Sequence, residues 1–289
     1  MTTHKTITLA EPPKDHHSHS AFSTAALCGA KYEFKYIAGT QERASSSLVF
    51  GSVVHDALEF ASREQLVKGS GRPRAAVIAA FAADGLAIEI ARQRKQTNQE
   101  IEWKRIHKGA PLDTLESLKD DCVNTIITYE TEYGKDTQPI LVEQKFRVEL
   151  EGVDVPLEGY IDLVNKPGIV RDYKTTAKKM ADGAVLTSEQ LTLYQIALED
   201  DGIPVTGLEL HVIVRKAGGA AIQVLKAPPR TAAQKAAYID NAQKAARLIA
   251  ARIFPKVNNS MICSWCGYRR TCHADWYPER PDEDQGEGA

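Results

Sequence analysis

The hydrophobic period changes once along the chain, near Ile140, and that change limits the fold more than any other feature. Before it, apolar residues recur at steps of three and four, the period of a helix with one buried face. Phe22 to Ile37 repeats through Phe22, Ala26, Ala30, Phe34 and Ile37, with Ser20 or Ser23 available as its cap. Leu48 to Val67, entered through Ser45 to Ser47, and the alanine-rich Arg74 to Arg94 predict two more helices. Gln96 to Leu112 is polar and carries no firm period. Leu112 to Tyr133 aligns Leu115, Leu118, Cys122, Ile126 and Tyr129 on one stripe. From Ile140 to Leu150 the pattern alternates, which predicts a strand. Val155 to Val164 and Ile169 to Lys174 follow as strands, separated by turns at residues 151–154 and 165–168. Leu186 to Asp200 returns to helix. Leu208 to Arg215 and Ala221 to Lys226 form a hairpin through Gly218 and Gly219, and Thr231 to Ile253 is a last long helix. The order predicts an α/β fold: a core sheet flanked by helices, with a helical region before it and a cysteine-rich loop after it.

With 289 residues and 43% hydrophobic content, the chain can bury a full core. Its net charge of −2 means that a surface for nucleic acid must be a local basic patch. No apolar run reaches the roughly 18 residues of a membrane helix, and the first residues lack a secretory pattern. These features point to a cytoplasmic protein without disulfides. Residues 1–17, with His16 and His17, read as a flexible leader that extends toward His19, and residues 278–289 as an acidic disordered tail.

Two short segments carry the chemistry. Gly159-Tyr160-Ile161-Asp162 puts one acid in an apolar strand, and Asp172-Tyr173-Lys174-Thr175 ends the next strand with an acid and a lysine. Alternation puts Asp172 and Lys174 on one face of their strand. Pairing of the two strands would bring Asp162 beside Asp172, and adjacent carboxylates repel unless a cation lies between them. Hard oxygen ligands suit Mg²⁺ or Mn²⁺. A solvated strand-end ion pair is the plainer reading of Asp172 and Lys174 taken alone. His55 stands on a helix face of small and apolar residues, Gly51, Val54 and Leu58, where its ring needs a partner.

These motifs, with Gly51-Ser52-Val53-Val54-His55 before them and Gln190-Leu191-Thr192-Leu193-Tyr194 after them, resemble the PD-(D/E)xK nuclease superfamily, in particular its RecB-like branch. The resemblance implies a restriction-endonuclease-like core sheet and spans most of the chain. It implies that His55, Asp162, Asp172 and the Tyr173 backbone carbonyl hold Mg²⁺ or Mn²⁺. Lys174 would be catalytic, and Gln190 and Tyr194 would face the site and the DNA backbone. Glu143, on the preceding strand, is a weaker candidate for a second metal or an outer acid. On this reading residues 18–277 form one nuclease domain: a helical part (18–135), a catalytic core (136–254) and a cluster-binding tail (255–277) joined to Cys28.

Of five cysteines, Cys122 lies in an apolar helical stripe and reads as core. Cys28, Cys263, Cys266 and Cys272 remain as four thiolates for Zn²⁺ or a [4Fe–4S] cluster. Spacing alone leans to zinc, with His273 as a substitute ligand. The layout of one cysteine before the core and three after it resembles the iron–sulfur site of RecB-like nucleases, including the AddB subunit and the CRISPR adaptation exonucleases. Gly29 follows Cys28 where many relatives carry proline, and the position reads as one that only shapes the helix. Candidate DNA contacts are Lys178, Lys179, Arg215, Lys216, Arg269 and Arg270, with the aromatics Trp265, Tyr268, Trp276 and Tyr277. The function implied is a metal-dependent DNA exonuclease of recombination, repair or end processing in a virus or bacterium. It would act on single- or double-stranded ends, as a homo-oligomer or with a helicase, recombinase or integrase partner. A CRISPR-type adaptation nuclease and a non-catalytic cluster-containing DNA-binding module are the alternatives. No phosphate-binding loop of a motor is present.

Overall fold

The computed structural model describes residues 15–69, 71–107, 109–264 and 266–273. In chain order it contains β1 (His17–Ser18), α1 (His19–Leu27), α2 (Gly29–Tyr32), α3 (Ser46–Lys68), α4 (Ala75–Thr97) and α5 (Leu115–Tyr133). Then come β2 (Pro139–Val148), β3 (Leu157–Asn165), β4 (Ile169–Thr176), α6 (Glu189–Asp200), β5 (Gly207–Lys216), β6 (Gly219–Ala227), α7 (Ala232–Ala250), α8 (Ser260–Ser264) and α9 (Arg269–Cys272). The chain is a mixed α/β protein with a central sheet flanked by helices. It divides into two compact units: one takes residues 43–148 and 159–238, the other residues up to 42, 149–158 and from 239 on.

In the unit of residues 43–148 and 159–238, β3, β4, β5 and β6 are neighbours in that order, and β2 pairs with β3. β4 and β5 run parallel, with the pairs β3/β4 and β5/β6 antiparallel. Helices α3, α4 and α5 share one core with Val142, Leu163, Tyr173 and Ile213 from the sheet. The helix starts follow their sequence: the Ser45 hydroxyl accepts the Leu48 amide at α3, and Thr114 and Ser117 form a reciprocal box at α5. The polar stretch after α4 forms no helix; it is tied by isolated bridges, Ser45 to Glu102 and Arg105 to Leu112. The β5 strand is buried along nearly its whole length yet carries Glu209, His211 and Arg215. Buried charge persists only when paired. Arg215 grips Asp113 at 2.9 Å and Asp121 at 2.6 Å, and Glu209 takes Arg171 at 3.0 Å and His211 at 3.2 Å.

In the other unit, β1 pairs in parallel with Leu157 and Glu158. His17 and His19 therefore belong to β1 and α1 rather than to a leader. His17 packs on Phe22, and the His19 ring meets the Ser23 hydroxyl at 3.0 Å. The expected helix from Phe22 to Ile37 is broken at Cys28, whose backbone is extended (φ −161°, ψ 112°). The reason is a chain crossing. The Ala30 amide donates to the Pro255 carbonyl, and a Cβ on Gly29 would lie 2.6 Å from the Phe254 backbone. Gly29 is thus a close-approach position and not merely a helix-shaping one. The expected leader up to residue 14 and the acidic tail lie outside the described residues.

Candidate active site

The alternation of β4 sends Tyr173 into the α3–α5 core and turns Asp172 and Lys174 the other way, toward α6. The Lys174 ammonium stands 3.0 Å from Asp172 Oδ1 and 2.8 Å from Oδ2, and it donates to Gln190 Oε1 at 2.6 Å. Gln190 Nε2 in turn donates to the Tyr194 hydroxyl at 2.5 Å, one turn along α6. Only Oδ1 lies in a bonding direction from the lysine. Asp172 Oδ2 is buried and has no hydrogen-bond partner.

The β3–β4 ladder runs from Asn165–Ile169 to Leu163–Arg171. At the next step the Tyr173 amide donates to the Asp162 carboxylate, Oδ2 at 2.8 Å, instead of to a strand carbonyl. The pairing thus gives way where Asp162 and Asp172 stand. His55 reaches the same place from α3. Its Nδ1 is 3.8 Å from Asp162 Oδ2, too far for a hydrogen bond, and its ring meets Tyr173 edge-on. Gly51, one turn earlier, explains the approach of that helix: a Cβ there would lie 2.7 Å from Thr175 Oγ1. On β3, a Cβ at Gly159 would lie 2.9 Å from the Phe146 ring, which packs edge-on against Tyr194. The glycines of two motifs are therefore spaces that set the helix and strand positions.

Electrostatics mark the site as short of positive charge. Burial raises the Asp172 carboxyl above the ordinary range; Lys174 opposes the rise and Asp162 adds to it. Burial likewise raises Asp162 against the pull of the Tyr173 amide and Lys174. Burial lowers His55, which favours a neutral imidazole able to act as a ligand. Glu143 is pushed up to about 7, first by burial and then by the Asp162 charge. It sits in β2 with a left-handed backbone (φ 46°). Val142 before it joins the α3–α5 core and Phe146 after it touches α6, so the strand changes faces across this residue.

Among the described residues, no group of three or more His, Cys, Asp or Glu side chains is arranged to hold a metal ion as it stands. The donor chemistry nevertheless fits a divalent cation. One buried carboxylate oxygen lacks a donor, a second carboxylate is beside it, and a histidine nitrogen faces that second group without bonding it.

In the other unit, Cys28, Cys263, Cys266 and Cys272 line one cavity with Lys31, Arg269 and His273. All four are free thiols, and burial raises Cys266 and Cys272. Cys122 is fully buried in α5, as core packing requires.

Two expected DNA contacts are not available. Arg215 is buried in its pairs with Asp113 and Asp121, and Tyr268 is buried with its hydroxyl on the Thr40 carbonyl. Lys178, Lys179, Lys216, Arg269 and Arg270 are exposed. Trp265, Trp276 and Tyr277 lie outside the described residues. Sequence reasoning passed over the support behind Tyr173, where Arg171 and His211 both bond the Tyr129 hydroxyl. Charged residues inside the apolar run of β5 were its signal.

The sequence model of the PD-(D/E)XK nuclease superfamily matches residues 16–273. No curated protein matches the chain. Among solved structures, a "putative exonuclease" from Eubacterium rectale is similar at TM-score 0.55 and 14% identity, covering 89% of this chain and 88% of that one. A second chain, SSO0001, is matched at TM-score 0.34 and 10% identity over 81% of this chain and 87% of that one, too low a likeness to support a reading. No helix among the described residues is long and apolar enough to cross a membrane.

Proposed function

The chain belongs to the PD-(D/E)XK nuclease superfamily, which implies a hydrolase acting on nucleic acids, and from that premise we propose that it is a metal-dependent DNA exonuclease. The observation that carries the proposal is Asp172. Its carboxylate is buried, bound to Lys174 through one oxygen and without a hydrogen-bond partner at the other. Asp162, Asp172, His55 and the Tyr173 carbonyl would hold Mg²⁺ or Mn²⁺. The bound cation supplies Lewis acidity at the scissile phosphate and an acidified water. Lys174 orients that water or steadies charge gathering on the phosphate, and it is itself aimed by Gln190 and Tyr194. His55 serves as a neutral ring. The RecB-like assignment and a role in recombination, repair or end processing belong to the same proposal.

The four thiols around one cavity support a second, separate site, a [4Fe–4S] cluster holding Cys28 to the C-terminal loop. Anaerobic protein should contain about four irons per chain; one zinc and no iron would refute the cluster. End-labelled single- and double-stranded DNA, incubated with Mg²⁺ or Mn²⁺, tests the activity. Metal-dependent release of nucleotides that vanishes in Lys174→Ala is expected. Cleavage that is independent of divalent cations, or unchanged in that variant, would overturn the reading.

A further inference from the structure

The accessible side of β3 presents an aromatic ring beside the site. Ile161 is fully buried, and Gly159 lies under the Phe146 ring. Alternation therefore puts Tyr160 and Asp162 together on the other side of the strand. Tyr160 is 54% exposed, while Tyr129, Tyr173 and Tyr194 of the same unit are buried. Two residues of strand span about 6.6 Å, so the ring stands within one nucleotide's reach of any phosphate held at Asp162.

We propose that Tyr160 is a stacking platform for the base next to the phosphate that is cut, and that it selects unpaired ends. The proposal rests on the DNA-nuclease reading. A base inside a duplex is stacked on both faces and offers neither to a protein ring unless it is turned out. A base at a single-stranded end has a free face, and stacking on an aromatic side chain tolerates any sequence. The contribution would come from the ring face, so the hydroxyl is dispensable.

The test compares wild type, Tyr160→Phe and Tyr160→Ala on an oligonucleotide with 2-aminopurine beside the cleaved end, as a single strand and as a blunt duplex. Thermal melting checks that the variants fold, as substitution of an exposed ring should allow. Tyr160→Ala should raise KM for the single strand about 5- to 100-fold, with kcat moving less. It should also lose the fluorescence quenching that wild type and Tyr160→Phe produce on binding. An abasic nucleotide at the probed position should erase the difference between wild type and Tyr160→Ala. Unchanged KM and quenching in Tyr160→Ala would overturn the proposal. So would equal loss in Tyr160→Phe, which would assign the effect to the hydroxyl. If the wild type cuts no DNA, the nuclease reading falls, and the binding titration still decides whether the ring stacks on a base.

Discussion

Asp172 shows at the residue scale how folding free energy is set against function. Burying a carboxylate with one oxygen unbonded is costly. Asp172→Asn keeps the shape and removes the charge. Cleavage should fall by at least about 100-fold, while metal-free protein melts at the same temperature or higher. Calorimetry with and without Mn²⁺ checks this: wild type should gain stability on adding Mn²⁺ and the variant should gain little. A marked loss of stability in metal-free Asp172→Asn would mean that the carboxylate is structural. Gly159 makes the complementary point. A methyl group there would lie 2.9 Å from the Phe146 ring, so Gly159→Ala should cost about 1–3 kcal/mol in urea melts. Adding Phe146→Leu should recover part of that loss. Additive losses would show that the two positions do not press on each other.

At the element scale, β5 is a buried strand whose charges are matched by α5, β4 and the residue pair Asp113 and Asp121. Burial holds His211 down at about 4, outweighing its bond to Glu209, and Glu209 itself is held at about 2. A lowered folded value favours the deprotonated form. The stability His211 contributes is complete above the ordinary imidazole range and is lost as pH falls through about 4. The loss is on the order of 3 kcal/mol at most. Melting temperature should therefore decline from about pH 6.5 downward, and His211→Gln should flatten the upper part of that decline. A pH profile unchanged by the substitution would place the acid sensitivity elsewhere. The same strand marks where sequence reading ran out. Alternation and helical period located β2 to β6 and the long helices, and the two strands with Asp162 and Asp172 were legible as a pair. Arg215 read as a DNA contact because its partners Asp113 and Asp121 are about a hundred residues away, and local pattern says nothing about such pairing. The break at Cys28 was hidden for the same reason, since its cause is the backbone of Phe254 and Pro255. The bend at Glu143 carries no glycine to announce it.

At the scale of the whole chain, the five thiols report on both compact units. Cys122 is fully buried in the unit of the carboxylates, and burial pushes its thiol up to about 12. It should stay silent toward a thiol reagent until that unit unfolds. Cys28, Cys263, Cys266 and Cys272 are partly accessible around their cavity in the other unit. Metal-free native protein should therefore release four thiols quickly and the fifth only in denaturant. Loading the cysteine site should protect all four at once, because thiolates committed to a metal centre are not free nucleophiles. Cys28→Ser should abolish that protection as fully as Cys266→Ser, although Cys28 belongs to the first helical segment and Cys266 to the C-terminal loop. Cys122→Ser should leave the protection intact and cost stability instead, since it places a hydroxyl in an apolar core. Counting reactive thiols before and after anaerobic reconstitution with iron and sulfide makes the measurement. If Cys28 reacts as freely in the loaded protein as in the metal-free one, it is not a ligand. The centre would then have three cysteines, with His273, which lines the same cavity, as the candidate fourth donor.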